Sequence, residues 1–542
     1  MPPPRPAARE PDPRPAEWLI VIAVASLVWI AFLPALRGGF LPWDDESNLV
    51  TNRAWRGLGW AQLGWMLTTF HKGHWIPVTW LSFGTDYLLW GMEPKGYHLT
   101  NVLLHAANAG LVCLLGMRLL AETGAAGAAR LAGAAAAALF FALHPLRVES
   151  VAWVTERRDV LSAFFFLLAA LGYLRAARHE PVCHEPVCHE PACHEPAWRT
   201  RAYWLSLGAF ALSLGSKSMA VSLPVILLVL DVYPLRRWKN AWRTRVLEKV
   251  PFALLSLLAS AVAMVAVRAG GSVSSLADLG VAQRLAISAY SLVFYLWKTL
   301  LPIGLSPLYE LPVGFDPFGP VYLLSAVLVV AITSAAVSLR KRWPWLLAAW
   351  TAYVVMLLPV VGIVHNGPQV TADRYTYLPC LPVALLAGET VVLLWRWAWA
   401  VAASAGALLG LAVLAAFQIG VWRDAESLWT RALAVSPSAI AHASLGVVFD
   451  ERGRHEDAIA QFSEALQINP GLAHAQNNWG IALARQGKWQ EAVQHYEDAL
   501  RLSPGYPEAH LNLAAALQRL GRYADAQRHV DAARSTLLPP GR

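Results

Sequence analysis

Between Trp18 and about Gly420 this chain is a succession of apolar runs long enough to cross a lipid bilayer, and no other feature restricts its fold as strongly. Hydrocarbon offers no partner to backbone N–H and C=O groups, so runs of this kind fold as helices that satisfy those groups internally. The candidate spans are 18–36, 98–120, 131–143, 159–175, 202–216, 219–234, 249–268, 320–339, 344–363, 377–395 and 398–420. Segment 286–301 is apolar enough either to span or to lie at the interface. The first run is too long for the core of a signal peptide and reads as an uncleaved span, preceded by a Pro-rich, disordered start at 1–17. Charged residues make up 15% of the chain, where a soluble domain has about 25%, and they return at ordinary density only beyond residue 420. The chain therefore has two regions, each suited to a different solvent.

The net charge of +8 sits in short basic clusters between the apolar runs, among them Arg175 and Arg178, Arg199 and Arg201, and the stretches 236–245 and 340–342. That is the pattern of cytoplasmic loops and not of a nucleic-acid-binding face. With the N-terminus in the cytoplasm, the basic loops after 120, 175, 234, 339 and 395 all fall inside, provided that 286–301 does not cross. Eleven spans and an outward C-terminus are expected. Segments 37–97, 144–158, 269–319 and 364–376 then lie outside, and the first is too long for a mere connector.

The tail repeats itself at an offset of 34 residues. Leu445, Gly446, Phe449, Ala458, Phe462, Ala465 and Pro470 recur as Trp479, Gly480, Leu483, Ala492, Tyr496, Ala499 and Pro504. A weaker third copy has Leu513, Ala514, Leu517, Ala526, Val530 and Ala533, and Ala425, Trp429, Ala432 and Pro437 fit the second helix of a partial repeat. Small residues let two helices approach, a large one fills the gap between them, and the proline stops the second helix. Residues 421–536 thus resemble tetratricopeptide repeats, an α-solenoid whose groove usually holds an extended peptide. The plainer reading is a packing brace or dimer surface.

Residues 179–198 repeat HEPVC nearly four times, with four His, four Glu and three Cys. Proline in every unit favours extended structure, so this low-complexity loop implies no fixed metal pocket. Cys113 and Cys380 lie in or beside apolar segments and read as packing residues; no disulfide framework is visible.

The outer segments carry the residues suited to chemistry. Asp44, Asp45 and Glu46 follow the first span directly, where an acid is costly unless paired, hydrated or used. Such a carboxylate could deprotonate an acceptor hydroxyl or help to hold a divalent cation; the plain alternative is a solvated acidic turn. His71, Lys72 and His74 follow, then His98, Asn101 and His105, then Glu149, Glu156, Arg157, Arg158 and Asp159. Lys217 and Arg374 are further basic residues on the same side. Singly each is more often an interfacial anchor, but cations beside acids suit a phosphate-linked lipid substrate. No GxxxxGK[ST], GxSxG or HExxH pattern occurs, so ATP-driven transport and zinc proteolysis have no support.

The order WDDESNLVTN, HKGHWIPVTW, GMEPKGYHLTNVLLH, HPLRVESVAWVTERRDVLSAFFFL, SKSMAVSLPVILLVLDVYPL and ADRYTYLP, followed by the repeats, resembles the TMTC proteins, transmembrane and tetratricopeptide-repeat-containing O-mannosyltransferases, and their bacterial relatives. The resemblance implies an all-α, GT-C-like transmembrane domain over 18–420. It also implies transfer of mannose or another hexose from a polyprenyl-phosphate carrier, on the outer face of a bacterial inner membrane. The acceptor would be a protein or envelope component brought by the repeats. Carried over, Asp44 or Asp45 would be the catalytic base. His71, His74, His98, Glu149, Arg157 and Asp159 would shape the donor site, and Lys217 and Arg374 would meet the carrier phosphate. Set against this are a non-catalytic, membrane-anchored repeat scaffold for envelope proteins and a transporter or flippase. The latter usually keeps its polar site near mid-membrane.

Overall fold

The computed structural model describes residues 14–177, 196–238, 242–269, 279–312, 314–364, 367 and 369–537. The HEPVC tract, up to residue 195, and most of the Pro-rich start lie outside the described residues. Apart from two short extended stretches, Tyr309–Glu310 and Gln369–Thr371, the regular elements are helical. The chain divides into two compact units: Met1–Leu305 with Asp316–Arg423, and Ser306–Phe315 with Asp424–Arg542.

In the first unit, every one of the eleven expected apolar segments contains helix, though in 344–363 it ends at Leu357 and in 377–395 it begins at Leu381. By length and composition alone, six of the described helices are long and apolar enough to cross a membrane, namely Pro15–Arg37, Pro94–Glu122, Val154–Ala177, Trp242–Ala269, Pro320–Ser338 and Ala398–Val421. A seventh is the bent pair Gly127–Leu143 and Pro145–Ala152; Ser218–Val232, Pro344–Leu357 and Leu381–Leu394 are shorter. The count of eleven thus rests on accepting short helices as spans. The outward surfaces are apolar: Leu254, Leu257, Leu258, Leu324, Val327 and Phe417 are each more than half exposed. Helices apolar all round need lipid where protein does not cover them. The unit is built for a membrane.

Two helices form its centre. Pro94–Glu122, at 29 residues, is about 44 Å long at 1.5 Å per residue, longer than the roughly 30 Å hydrocarbon layer. Its N-terminal half carries the buried polar side chains His98, Asn101, His105 and Asn108. Asn101 donates to the Val151 carbonyl of the short helix Val148–Ala152 at 3.1 Å, and Asn108 donates to that of Val160 at 2.8 Å, which ties this end to the second central helix, Arg157–Ala177. The bend of 55° falls at His144–Pro145, where proline removes a backbone donor and disfavours helix in the residue before it. His144 caps the break, accepting from the Leu146 N–H at Nδ1 and donating from Nε2 to the Thr299 carbonyl at 3.1 Å.

Segment 286–301 lies in the helix Val281–Leu300. Near its start Arg284 donates to the Ile363 carbonyl at 2.8 Å, and midway Tyr353 donates to that of Leu292 at 2.6 Å. Farther on, Tyr295 accepts from the Ala372 N–H, and at the last turn Thr299 meets His144. The helix also packs against Pro320–Ser338, where the Tyr290 and Tyr322 rings meet at 5.5 Å, and its partner Tyr353 lies within the apolar helix Pro344–Leu357.

The second unit is built from the helices Ala425–Val435, Ala439–Glu451, His455–Ile468, Ala473–Arg485, Trp489–Leu502, Pro507–Arg519 and Tyr523–Leu537. Gly453, Gly487 and Gly521, spaced by 34, sit at φ +78°, +80° and +76°, the left-handed conformation that ends a helix cheaply only in glycine. A Cβ on Gly480 would stand 2.6–3.0 Å from the Tyr496 ring, so the close approach expected of the repeat is real. Gly480→Val is expected to destabilise this unit by about 1–3 kcal/mol, the usual cost of overpacking. Thermal melting followed by circular dichroism reads it; an unchanged transition would show that the helices separate freely.

Candidate functional site

The acidic loop leaves the first helix through the turn Leu33–Arg37 and presents its two aspartates differently. Asp45 is fully buried. Its Oδ1 accepts from the Thr155 N–H at 2.8 Å and from the Thr155 hydroxyl at 2.6 Å, while Oδ2 accepts from the Leu41 N–H at 2.9 Å. Asp44 is half-buried, and its carboxylate makes no hydrogen bond or ion pair with any described residue, though it lies within electrostatic reach of Arg158. The Asp45–Thr155 latch joins the two loops, so that Asp44 and Glu156, one residue to either side, share a neighbourhood.

Burial pushes the Asp45 carboxyl up to about 6 from its usual 3.8, against the hydrogen bonds from Thr155 and Leu41, which pull it down. The folded chain therefore binds this proton more tightly than the unfolded chain does. Its contribution to stability is present below about pH 4 and is lost as pH rises through about 6, a difference of about 3 kcal/mol. Melting temperatures of the wild type, measured relative to Asp45→Asn, should fall across that window; parallel curves would exclude the shift.

Beyond the latch lies a buried charge cluster centred on Glu156. Arg158 grips its carboxylate with two bonds, at 2.5 and 3.0 Å, Lys217 approaches at 3.1 Å and Arg374 at 3.3 Å. Arg374 also pairs with Glu149 and donates its N–H there at 2.8 Å. Lys217 pairs with Asp159 at 2.6 Å, and Ser150 donates to Asp159 at 3.0 Å. Three acids and three bases neutralise one another inside the protein, as buried charges must. Trp153 roofs the cluster: Arg374 lies over its ring at 5.5 Å, and the ring stacks between Trp43 and Trp422 at 5.0 and 5.5 Å.

A small cleft opens beside this cluster, lined by Asn48, His71, His74, Ile76, Trp80, Phe83, Thr155 and Arg158. Burial, with the nearby Arg158 and Lys217 cations, holds His74 down to about 3, and burial also lowers His71. Both therefore meet a ligand as neutral hydrogen-bonding rings. Lys72 between them takes a left-handed φ of +51°, uncommon for a residue with a side chain. Among the described residues no three His, Cys, Asp or Glu side chains are grouped to hold a metal ion.

Of the residues singled out in the sequence, the structure gathers Glu149, Asp159, Lys217 and Arg374 in the cluster and His71 and His74 at the cleft, while Asp45 is buried behind the cleft residue Thr155 and Asp44 is within electrostatic reach of the cleft residue Arg158. Arg157 and His98 lie together elsewhere. Arg157 pairs with Asp86 at 2.6 Å and donates to Ser82, Tyr97 and Asn101, fastening two helices, while His98 sits against the Gly39 carbonyl at 3.4 Å. Successive positions on a helix point about 100° apart, which sends Arg157 and Arg158 to different partners. Sequence reasoning gave no role to Thr155 or Arg147 and left Glu156 and Arg158 outside the chosen site. The run TERRD, which already held the assigned Arg157 and Asp159, was the available signal. Arg147, fully buried between the rings of Phe141 and Tyr377, donates to Thr376 at 2.6 Å and so fixes the turn bearing Arg374.

Family models described as tetratricopeptide repeat match residues 402–473 and 483–536. With the apolar helices, this makes the chain a helical membrane protein carrying tetratricopeptide repeats. Protein O-mannosyl-transferase Tmtc1 of Drosophila melanogaster is 34% identical to it over 166 residues, covering 28% of this chain and 18% of the relative. Protein O-mannosyl-transferase TMTC4 of Homo sapiens is 36% identical over 174 residues, covering 29% of this chain and 23% of the relative. Over these stretches the chain is similar to TMTC proteins, the resemblance that its motifs carry, and it spans less than a quarter of the length of either of these two. Among solved structures, MamA resembles 21% of this chain at 20% identity, covering 66% of MamA, with a TM-score of 0.20, too low to carry an argument.

Proposed function

We propose that the chain is a membrane glycosyltransferase that moves a hexose, mannose or a close relative, from a polyprenyl-phosphate carrier to a hydroxyl of a protein or envelope acceptor. The observation that carries this reading is the unequal aspartate pair: Asp45 is fully engaged in the latch, and Asp44 is half-buried, with a carboxylate that no described residue hydrogen-bonds, within electrostatic reach of Arg158. In the reaction, Asp44 takes the proton of the acceptor hydroxyl, and that oxygen bonds to the anomeric carbon as the carbon–oxygen bond to phosphate breaks. The departing phosphate gains negative charge, which Arg158 meets from the cleft wall while His71 and His74 donate hydrogen bonds as neutral rings. Lys217 and Arg374, unlike Arg158, do not line the cleft; paired with Glu149, Glu156 and Asp159, their part is to hold Glu156, and through it Arg158, in place.

On this reading the cleft and the repeats both face the extracytoplasmic side of the cell membrane, with the N-terminus in the cytoplasm. Support comes from the basic residues of the loops after 120, 175, 234, 339 and 395, which all fall on one side when Val281–Leu300 does not cross. The repeats would present the acceptor. The test is transfer of labelled sugar from polyprenyl-phosphate hexoses in membranes containing the full chain. Absence of labelled protein or glycolipid with every hexose donor would sink the reading.

A further inference from the structure

Ten residues of the expected outer loop 269–319 belong to the repeat unit. Ser306–Phe315 separates from the helices on either side of it in the chain and packs with Asp424–Arg542. It is folded at both ends: Ser306 donates its N–H to the Tyr309 hydroxyl at 2.9 Å and its own hydroxyl to the Leu308 carbonyl at 2.9 Å, while Phe315 donates to the Pro312 carbonyl across Gly314 at φ +71°. Ser306, Pro307 and Leu308 are buried. Between the two turns the Glu310 carboxylate faces the start of the first complete repeat helix, Ala439–Glu451, and accepts from the Ile440 N–H at 3.4 Å. Ser438 caps the same helix start, accepting from the Ala441 N–H. A carboxylate there also meets the positive end of the helix dipole.

We propose that Ser306–Phe315 is an intramolecular strap that fastens the repeat array to the membrane unit independently of the covalent junction at Arg423–Asp424. The chain passes between the units three times, at 305–306, 315–316 and 423–424. An array entered only at its first residue would be a pendant on one hinge. A folded loop segment seated on its first full helix gives the array a second, non-covalent attachment. The strap must also lie on the same side of the membrane as the repeats, which requires an even number of crossings between 315 and 424.

The experiment inserts a protease site between Arg423 and Asp424 in the full chain, cleaves it in membranes, washes with salt and measures the repeat fragment released. The wild-type fragment should stay bound. Two variants should raise its release about tenfold: Glu310→Lys, which turns attraction to the helix start into repulsion, and replacement of 307–312 by Gly and Ser at equal length. Hydrogen exchange at Ile440 should rise in both, while exchange in Ala473–Arg485 stays as in the wild type, showing that the repeats remain folded. Equal release from wild type and variants, whether all stay or all leave, would overturn the strap.

Discussion

Asp44→Asn should lower sugar transfer by about 10²–10⁴-fold, the range for a removed general base, with little effect on yield or melting temperature. The side chain makes no hydrogen bond or ion pair with a described residue, so loss of its charge leaves nothing buried and unpaired. Asn keeps the shape and cannot accept the proton. Asp45→Ala should behave differently, because it removes the acceptor for Leu41 and for both donors of Thr155. The expected loss is of stability and of transfer together, since the latch that sets Asp44 beside the cluster is gone. Measuring kcat/KM and thermal stability on the same preparations separates the two roles. Full transfer by Asp44→Asn would remove it as the base. A stable, active Asp45→Ala would show that the latch positions nothing.

The membrane body and the repeats were legible in the sequence for one physical reason. Each demands a property of many residues at once, continuous apolarity in lipid or a 34-residue rhythm of small and large side chains, and such patterns survive without knowledge of contacts. The eleven apolar segments and the Gly446–Phe462 and Gly480–Tyr496 pairings follow from them. The site is another matter. Asp44 and Asp45 look equivalent as neighbours, and they are distinguished by the bonds that Leu41 and, 110 residues away, Thr155 make to Asp45. Arg374 looks like a free cation until it meets Glu149, 225 residues distant. Lys217 is likewise occupied by Glu156 and Asp159. A single sequence shows which charges exist but not which have been neutralised. For the same reason the strap was hidden: nothing in SPLYELPVGF announces that it packs with residues more than a hundred positions later.

Glu156 is where this neutralisation is most concentrated, and its loss should be the most damaging to folding. It is fully buried and is the shared partner of Arg158, Lys217 and Arg374. Glu156→Ala leaves three buried or nearly buried cations facing Glu149 and Asp159 alone. Removing one partner of a buried ion pair costs about 3–5 kcal/mol, because an uncompensated charge remains in a low-dielectric interior. Little folded protein is therefore expected, read as a collapsed monodisperse yield after detergent extraction. Glu156→Gln keeps the shape and an acceptor oxygen but not the charge, and should fall between the two. The decisive variant is Glu156→Gln with Arg158→Gln, which restores the balance of two acids and two bases. If charge compensation governs the cluster, the double variant should be more stable than Glu156→Gln alone, a coupling that a double-mutant cycle measures directly. Transfer should stay low in that double variant, since Arg158 is also the cation assigned to the departing phosphate. Recovery of stability without recovery of transfer would separate the structural and chemical work of the two residues. Additive losses with no coupling would mean that Glu156 acts through packing, and that the cations find other partners.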